Sequence, residues 1–175
     1  MSTNNIFPTP TFIIGKGSIG KTSPNAIKIE AGNTTKIFAN RKKLGKMVDM
    51  EVVVIDPNPV LDSKPDVLVN SMNNPVGEFR FSADDYIVIL TKGASDIDAL
   101  EASSKSGARY IGMLASRKRI KADFEIIEAK GVSRQFMESI HAPIGVDIGS
   151  VTPEEIALSI IAQIISVRRA HQPAS

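Results

Sequence analysis

The chain has 175 residues, which is enough for one domain with a hydrophobic core and short for two. Hydrophobic residues make up 42% of it and charged residues 23%, a composition typical of folded globular proteins. It contains no cysteine and two histidines, His141 and His171, which excludes disulfides, thiolate chemistry and a multi-histidine metal site within one chain. No segment has the pattern of a signal peptide or a membrane span, so we expect a cytoplasmic protein without a metal site.

Positive charge is concentrated in the first 50 residues, where eight Lys and Arg residues stand against two acidic ones, although the net charge of the chain is only +2. A basic N-terminal segment of this kind could bind phosphate groups or nucleic acid. Aromatic side chains that could stack on bases are few there, and a solvated helix face explains the charges equally well. The charge pattern therefore does not favour a nucleic-acid partner.

Six apolar segments predict strands buried in a parallel sheet, because they are continuous rather than alternating and are rich in β-branched residues. They are Thr11–Ile14, Ala26–Ile29, Glu51–Asp56, Asp66–Val69, Tyr86–Thr91 and Tyr110–Leu114, with Gly145–Asp147 as a further short candidate. Helical patterns lie at 36–48, 95–106, 117–130, 133–140 and 152–169. This alternation predicts an α/β fold, a Rossmann-like parallel sheet with helices on both faces. We place this domain at 26–171, after an N-terminal extension or hairpin at 1–25.

Two helix ends carry specific signals. Gly131 follows the 117–130 pattern and is suited to end that helix, since glycine adopts the left-handed conformation of a C-cap easily. Thr152-Pro-Glu-Glu155 is a capping box with proline at the first helical position. The sequence therefore predicts an abrupt start for the last helix.

A glycine-rich loop, Gly15-Lys-Gly-Ser-Ile-Gly20, follows the first apolar segment and matches the G-x-G-x-x-G fingerprint. Gly15, Gly17 and Gly20 would let the backbone turn tightly and approach a pyrophosphate at a helix N-terminus. With Lys21-Thr22 the loop also matches a P-loop, but Pro24 argues against the helix that a P-loop requires.

A second loop competes with the first for the role of phosphate-binding turn. Gly32, Asn33 and Thr34 precede the 36–48 helix, and Asn33 and Thr34 could cap it. The acidic residue that would hold a ribose hydroxyl is Asp56, which lies 41 residues after Gly15 but 24 after Gly32. The fingerprint expects about 20 residues, so spacing favours the second loop and glycine content favours the first. The sequence leaves both open.

Further candidate ligand residues follow later strands. Ser116 and Arg117 begin the basic segment 116–119 after the predicted strand that ends near Leu114, where open α/β sheets bind their ligands. An arginine there could hold a phosphate group with two parallel hydrogen bonds. His141, in the segment His141-Ala-Pro-Ile-Gly145, could contact an anionic ligand or cap a helix end.

Four motifs of the C-terminal half carry a resemblance to a known family. They are 85–91, 112–119, 140–149 and 152–157, of which the run from His141 to Ala157 is the most specific. With these motifs the chain resembles the Rossmann domain of the xanthine dehydrogenase accessory factor family, of the XdhC/CoxI type, over residues 51–167. The resemblance implies an accessory role for molybdenum hydroxylases such as xanthine or carbon monoxide dehydrogenases, with binding of molybdenum cofactor for its sulfuration and insertion.

We therefore expect a non-catalytic or weakly catalytic accessory protein that binds an anionic small molecule, molybdenum cofactor or NAD(P), and a molybdenum hydroxylase client. An NAD(P)-dependent oxidoreductase is the alternative, although the Tyr-x-x-x-Lys pair found in many such enzymes is absent. A partner-docking module is the third hypothesis. The sequence leaves the oligomeric state open, a homodimer included.

Overall fold

The computed structural model describes the backbone of residues 12–16 and 67–69, and backbone and side chains of residues 50, 53–55, 81, 83–91, 93 and 95–170. In this part of the chain the strands are β1 Phe12–Lys16, β2 Val53–Ile55, β3 Val67–Val69, β4 Asp85–Ile89 and β5 Tyr110–Met113. The helices are α1 Asp96–Ser104, α2 Arg117–Ala129, α3 Arg134–Ser139 and α4 Pro153–Ala170.

The strands form one sheet in the order β3-β2-β1-β4-β5. β2 pairs with β3 and β4 with β5 in parallel, whereas β1 runs antiparallel to both of its neighbours. The α/β class is confirmed, but the expectation that the first apolar segment forms a parallel strand is wrong. A continuous apolar run indicates burial on both faces of a sheet and carries no information about strand direction.

Helices cover both faces of the sheet, as the continuous apolar strands predict. Tyr86, Val88 and Leu90 join a core with Ile160 and Ile164 of α4. The alternate residues of the same strand join a second core with the helices α1 to α3; its members include Ile87, Ile89, Leu100, Ile120, Ile127 and Met137. Successive side chains of a strand point to opposite faces, so β4 contributes to both cores.

Both predicted helix ends are confirmed. Gly131 has a φ of 90°, its amide donates to the carbonyl of Glu128, and the amide of Val132 donates to that of Ile127, which is the Schellman pattern. At the start of α4, the Glu155 amide donates to Thr152 Oγ1 over 3.2 Å and the Thr152 amide donates to Glu155 Oε2 over 2.8 Å. The capping box therefore fixes where the last helix begins.

The predicted strand at Gly145–Asp147 is wrong. Gly145 has a φ of 98°, and a Cβ atom there would collide with the Ser159 side chain of α4. The segment therefore turns against α4 and does not extend. The pairing with β5 occurs earlier, where His141 forms a single parallel bridge with Gly112, just before the cis peptide bond between Ala142 and Pro143.

Other expectations from the N-terminal part fall outside the described residues, namely the strand at 26–29, the helix at 36–48 and a boundary near residue 25. β1 lies within the segment 1–25 and contributes to the middle of the sheet. Among the helices that the structure describes, none combines the length and the apolar character needed to cross a membrane.

Candidate functional site

The direction of β1 separates two of the candidate regions. Gly15 pairs with Tyr86, and Lys16 pairs with Asp85 at the amino-terminal end of β4. Ser116, in contrast, follows the carboxyl-terminal end of β5. Because β4 and β5 are parallel, Gly15 and Ser116 lie at opposite edges of the sheet, and the structure does not bring them together. The other N-terminal candidates lie outside the described residues; these are Gly17, Gly20, Gly32, Asn33, Thr34 and Asp56.

The carboxyl edge of the sheet, where its parallel strands end, lies at a change in the direction of the strand order. β3 follows β2 on one side of β1, and β5 follows β4 on the other side. Phe12 of β1 pairs with Ile55 of β2 and with Ile89 of β4, so β2 and β4 end at the same edge. Open α/β sheets bind ligands outside the carboxyl ends of their strands at such a switch point.

The start of α2 lies at this edge. Ser116 is its N-cap residue, and its Oγ accepts a hydrogen bond from the Arg119 amide over 3.3 Å. The amides of Arg117 and Lys118 have no hydrogen-bond partner among the described residues, and residues 116–118 are exposed or partly exposed. Within the described part of the chain, two backbone donors are therefore available to an anion at the positive end of the helix dipole. The ligand roles of Ser116 and Arg117 stay predictions.

Arg119 belongs to the basic segment 116–119, which the sequence predicts to hold a phosphate group, although only Ser116 and Arg117 are singled out in it. Its Nη2 donates to the carbonyl of Thr91, after β4, over 3.0 Å and to that of Leu114, after β5, over 2.8 Å. Its Nε lies 2.8 Å from Asp96 Oδ2, at the start of α1. Arg119 therefore connects the carboxyl ends of two neighbouring strands. The sequence signal that could have found it is an acidic residue beginning one helix and an arginine beginning the next.

The partly exposed Arg119 and the buried carboxyls of Asp96 and Asp123 form a group, which we call the Arg119 cluster. The Asp96 side chain is fully buried and Asp123 is 8% exposed. Burial raises the pKa of Asp96 to about 7 against the opposing effect of the Arg119 guanidinium, and a hydrogen bond with the Asp123 carboxyl raises this pKa further. The Asp96 carboxyl is therefore partly protonated near neutral pH. In the described part of the chain, no group of three or more acidic or histidine side chains is placed to hold a metal ion.

His141 lies away from this cluster, on the face of the sheet covered by α4. Its ring stacks on Tyr110 at a centroid distance of 4.7 Å, and its backbone amide donates to the Ile111 carbonyl over 2.9 Å. Tyr110 and the Gly145 amide both donate to Gln163 Oε1 on α4, over 2.6 Å and 2.9 Å. Burial lowers the pKa of His141, so its imidazole is neutral at pH 7. The contacts of His141 tie this segment to β5, and its role as a ligand residue stays a prediction.

Comparison with known proteins places this geometry in a family. The model of the XdhC Rossmann domain matches residues 34–164. The uncharacterized protein YqeB of Escherichia coli K12 is 28% identical over 152 residues, covering 83% of this chain and 27% of that protein. A protein of Bacillus subtilis described as a probable xanthine dehydrogenase subunit is 29% identical over 153 residues, covering 83% of this chain and 43% of that protein.

Among solved structures, one described as a xanthine dehydrogenase from Bacillus halodurans matches with a TM-score of 0.69 and 27% identity, over 87% of this chain and 45% of the other. The chain thus spans less than half the length of each of these relatives. The family model covers most of the chain, including β2 to β5 and α1 to α3 in full. The chain belongs to the XdhC Rossmann-domain family.

Proposed function

We propose that this chain is the ligand-binding module of an accessory protein for xanthine dehydrogenase-type molybdenum hydroxylases. In this proposal it binds the phosphate group of molybdenum cofactor, or of a nucleotide, at the carboxyl edge of β4 and β5. The observation that carries the proposal is the exposed start of α2, where the amides of Arg117 and Lys118 lack partners among the described residues. Family membership and the names of two relatives support the link to xanthine dehydrogenase.

The donor set at this edge fits a phosphate group. Backbone amides at a helix N-terminus and an exposed arginine are the donors that phosphate oxygens accept most readily. Arg117 and Lys118 supply both kinds of donor at one turn of α2, and Ser116 fixes that turn through its cap. When bound, molybdenum cofactor would supply the metal centre that a hydroxylase uses. The residues of this chain would hold and orient its phosphate.

The tyrosines favour binding over hydride-transfer catalysis. Tyr86 and Tyr110 are the only tyrosines of the sequence, and both are buried in strands. Burial raises the pKa of Tyr86, and the Tyr110 hydroxyl donates a hydrogen bond to Gln163 Oε1. Neither is free to protonate a substrate beside a nicotinamide at the carboxyl edge. This arrangement favours the accessory role over an NAD(P)-dependent oxidoreductase.

The test is isothermal titration of the purified chain with molybdenum cofactor, NAD⁺ and NADP⁺. We expect binding of at least one of the three, weakened when Arg117 and Lys118 are both replaced by glutamine. Arg134→Gln is the matched control, because Arg134 is an exposed arginine at the start of α3 that pairs with Glu128. Absence of binding to all three compounds would overturn the proposal.

The client protein needs a separate measurement. We expect the chain to co-purify with xanthine dehydrogenase when both are expressed together, and to raise the fraction of that enzyme loaded with cofactor. An enzyme that is equally loaded in the presence and absence of this chain would contradict the accessory role while leaving ligand binding intact.

A further inference from the structure

Arg119 keeps one edge of its guanidinium group uncommitted. An arginine side chain carries five N–H donors in a fixed planar arrangement. Nη2 donates to the carbonyls of Thr91 and Leu114, and Nε is paired with Asp96 Oδ2 over 2.8 Å. Nη1 has no partner among the described residues, although the side chain is only 32% exposed. Nη2 and Nε of the guanidinium are therefore occupied by the protein, and Nη1 stays available to a ligand.

The carboxyl end of β4 holds a buried hydroxyl without a partner in the described part of the chain. Asp96 Oδ2 is paired with Arg119 Nε over 2.8 Å, and Asp96 also forms hydrogen bonds with the Asp123 side chain and the Gly93 backbone. The hydroxyl of Thr91, two residues after β4, is buried and has no hydrogen-bond partner among the described residues. Buried polar atoms are nearly always hydrogen-bonded, so this hydroxyl is available to a ligand beside Arg119, which donates to the Thr91 carbonyl.

Gly93 lies near the Arg119 side chain. It has a φ of 100°, which favours glycine, and a Cβ atom at this position would lie 3.8 Å from Arg119 Cδ. Helical side chains lean toward the N-terminus of their own helix. Arg119, the third residue of α2, therefore lies over the turn that carries the free amides of Arg117 and Lys118. A single anion there would meet a fixed guanidinium edge and two backbone donors.

We propose that Arg119 is the residue that contacts the anionic group of the ligand, with Asp96 as its positioning residue, and that the group it selects is a phosphate monoester or a diphosphate. This assignment rests on the proposed function and deepens it. A phosphate group has enough oxygens to accept from the guanidinium and from the helix amides at once.

The probe is inorganic pyrophosphate, titrated into the full chain and followed by calorimetry. Arg119→Gln should weaken binding by about tenfold or more, because it removes a charge-assisted donor pair. Arg119→Lys should lose part of the affinity, since it keeps the charge but not the planar arrangement. The matched control is Arg109→Gln, because Arg109 also binds a backbone carbonyl and a carboxylate, but at the amino-terminal end of β5. Binding by a folded Arg119→Gln variant within twofold of the unmodified chain would overturn the assignment.

Two further measurements do not depend on the folding of that variant. The Nε–H resonance of Arg119 should shift when pyrophosphate is added to the unmodified chain, and an unchanged resonance at saturation would overturn the assignment. Pyrophosphate itself gains negative charge between pH 6 and 8, so the comparison is between the pH profiles of the two proteins. As pH rises, the affinity of the unmodified chain should fall relative to that of Asp96→Asn. The same pH profile in both proteins would remove Asp96 from its positioning role.

The outcomes separate this assignment from the proposed function. If molybdenum cofactor or a nucleotide binds but Arg119→Gln leaves pyrophosphate binding unchanged, only the assignment of Arg119 fails. If pyrophosphate does not bind at millimolar concentration, the assignment also fails, and titration with the cofactors decides the proposed function independently.

Discussion

Two arginines at opposite ends of β5 make nearly the same contacts in different surroundings. Arg109, just before β5, donates to the Ala83 carbonyl over 3.0 Å and to the Asp84 carboxylate over 2.6 Å. Arg119, after β5, donates to two carbonyls and lies beside Asp96. The Asp84 side chain is 54% exposed, whereas that of Asp96 is fully buried.

The difference in burial changes what the pairing does. A carboxylate in water is well solvated, so its pairing with arginine adds little and mainly ties two loops together. A buried carboxyl depends on its partner for its charged form, and here it also competes with a second carboxyl, Asp123. The arginine–aspartate pair at the amino-terminal end of β5 is therefore an exposed salt bridge between two loops. The pair at the carboxyl-terminal end includes a buried carboxyl whose protonation changes near neutral pH.

Replacing each arginine by methionine should give the largest difference in stability between the two ends of β5. Arg119→Met leaves Asp96 buried without a countercharge, and we expect it to lower the free energy of unfolding by about 3 kcal/mol. Arg109→Met should cost about 1 kcal/mol or less. Urea unfolding at pH 7.5 measures both. Equal losses of unfolding free energy in the two variants would mean that burial of the partner carboxyl does not change how much each arginine stabilises the fold.

The pH dependence of stability should sharpen the comparison. The pKa of Asp96 is raised from 3.8 to about 7 in the folded chain, so between these values the folded chain binds more protons at this site than the unfolded chain. The free energy of unfolding should therefore fall as pH rises from about 4 to about 7, and this contribution should level off above that range.

The variant Asp96→Asn should remove this part of the slope. The control at the other edge is Asp84→Asn, which removes an exposed carboxylate and should keep the slope. Thermal unfolding at a series of pH values measures both variants. If the unfolding free energy of Asp96→Asn still falls with pH over this range, the pH dependence comes from other groups.

Salt should give the smallest effect. The screening length falls from about 10 Å at 0.1 M salt to about 3 Å at 1 M, and exposed pairs are screened far more than buried ones. The loss of unfolding free energy caused by Arg109→Met should therefore be smaller in 1 M NaCl, whereas the loss caused by Arg119→Met should stay the same. Urea unfolding at the two salt concentrations tests this, and parallel losses for both variants would contradict it.

Local features could be predicted from the sequence because their causes lie within a few residues. The capping box at Thr152, the glycine that ends α2 and the apolar strands β4 and β5 all follow from propensity, hydrogen bonding and periodicity over short windows. The position of the basic segment after β5, at the carboxyl edge of the sheet, could be predicted in the same way. Which arginine in it reaches across to β4 depends on the neighbouring strand, which a short window does not contain.

The sequence by itself determined the alternation of strands and helices, the ends of the last helices and, through the motifs of the C-terminal half, the family. Only the tertiary structure decided that β1 runs antiparallel, which moves Gly15 to the edge opposite Ser116, and that Asp96, Asp123 and Arg119 share one buried place. The physical reason is that strand direction and charge pairing depend on which distant segments become neighbours. Hydrophobic periodicity records only that a segment is buried.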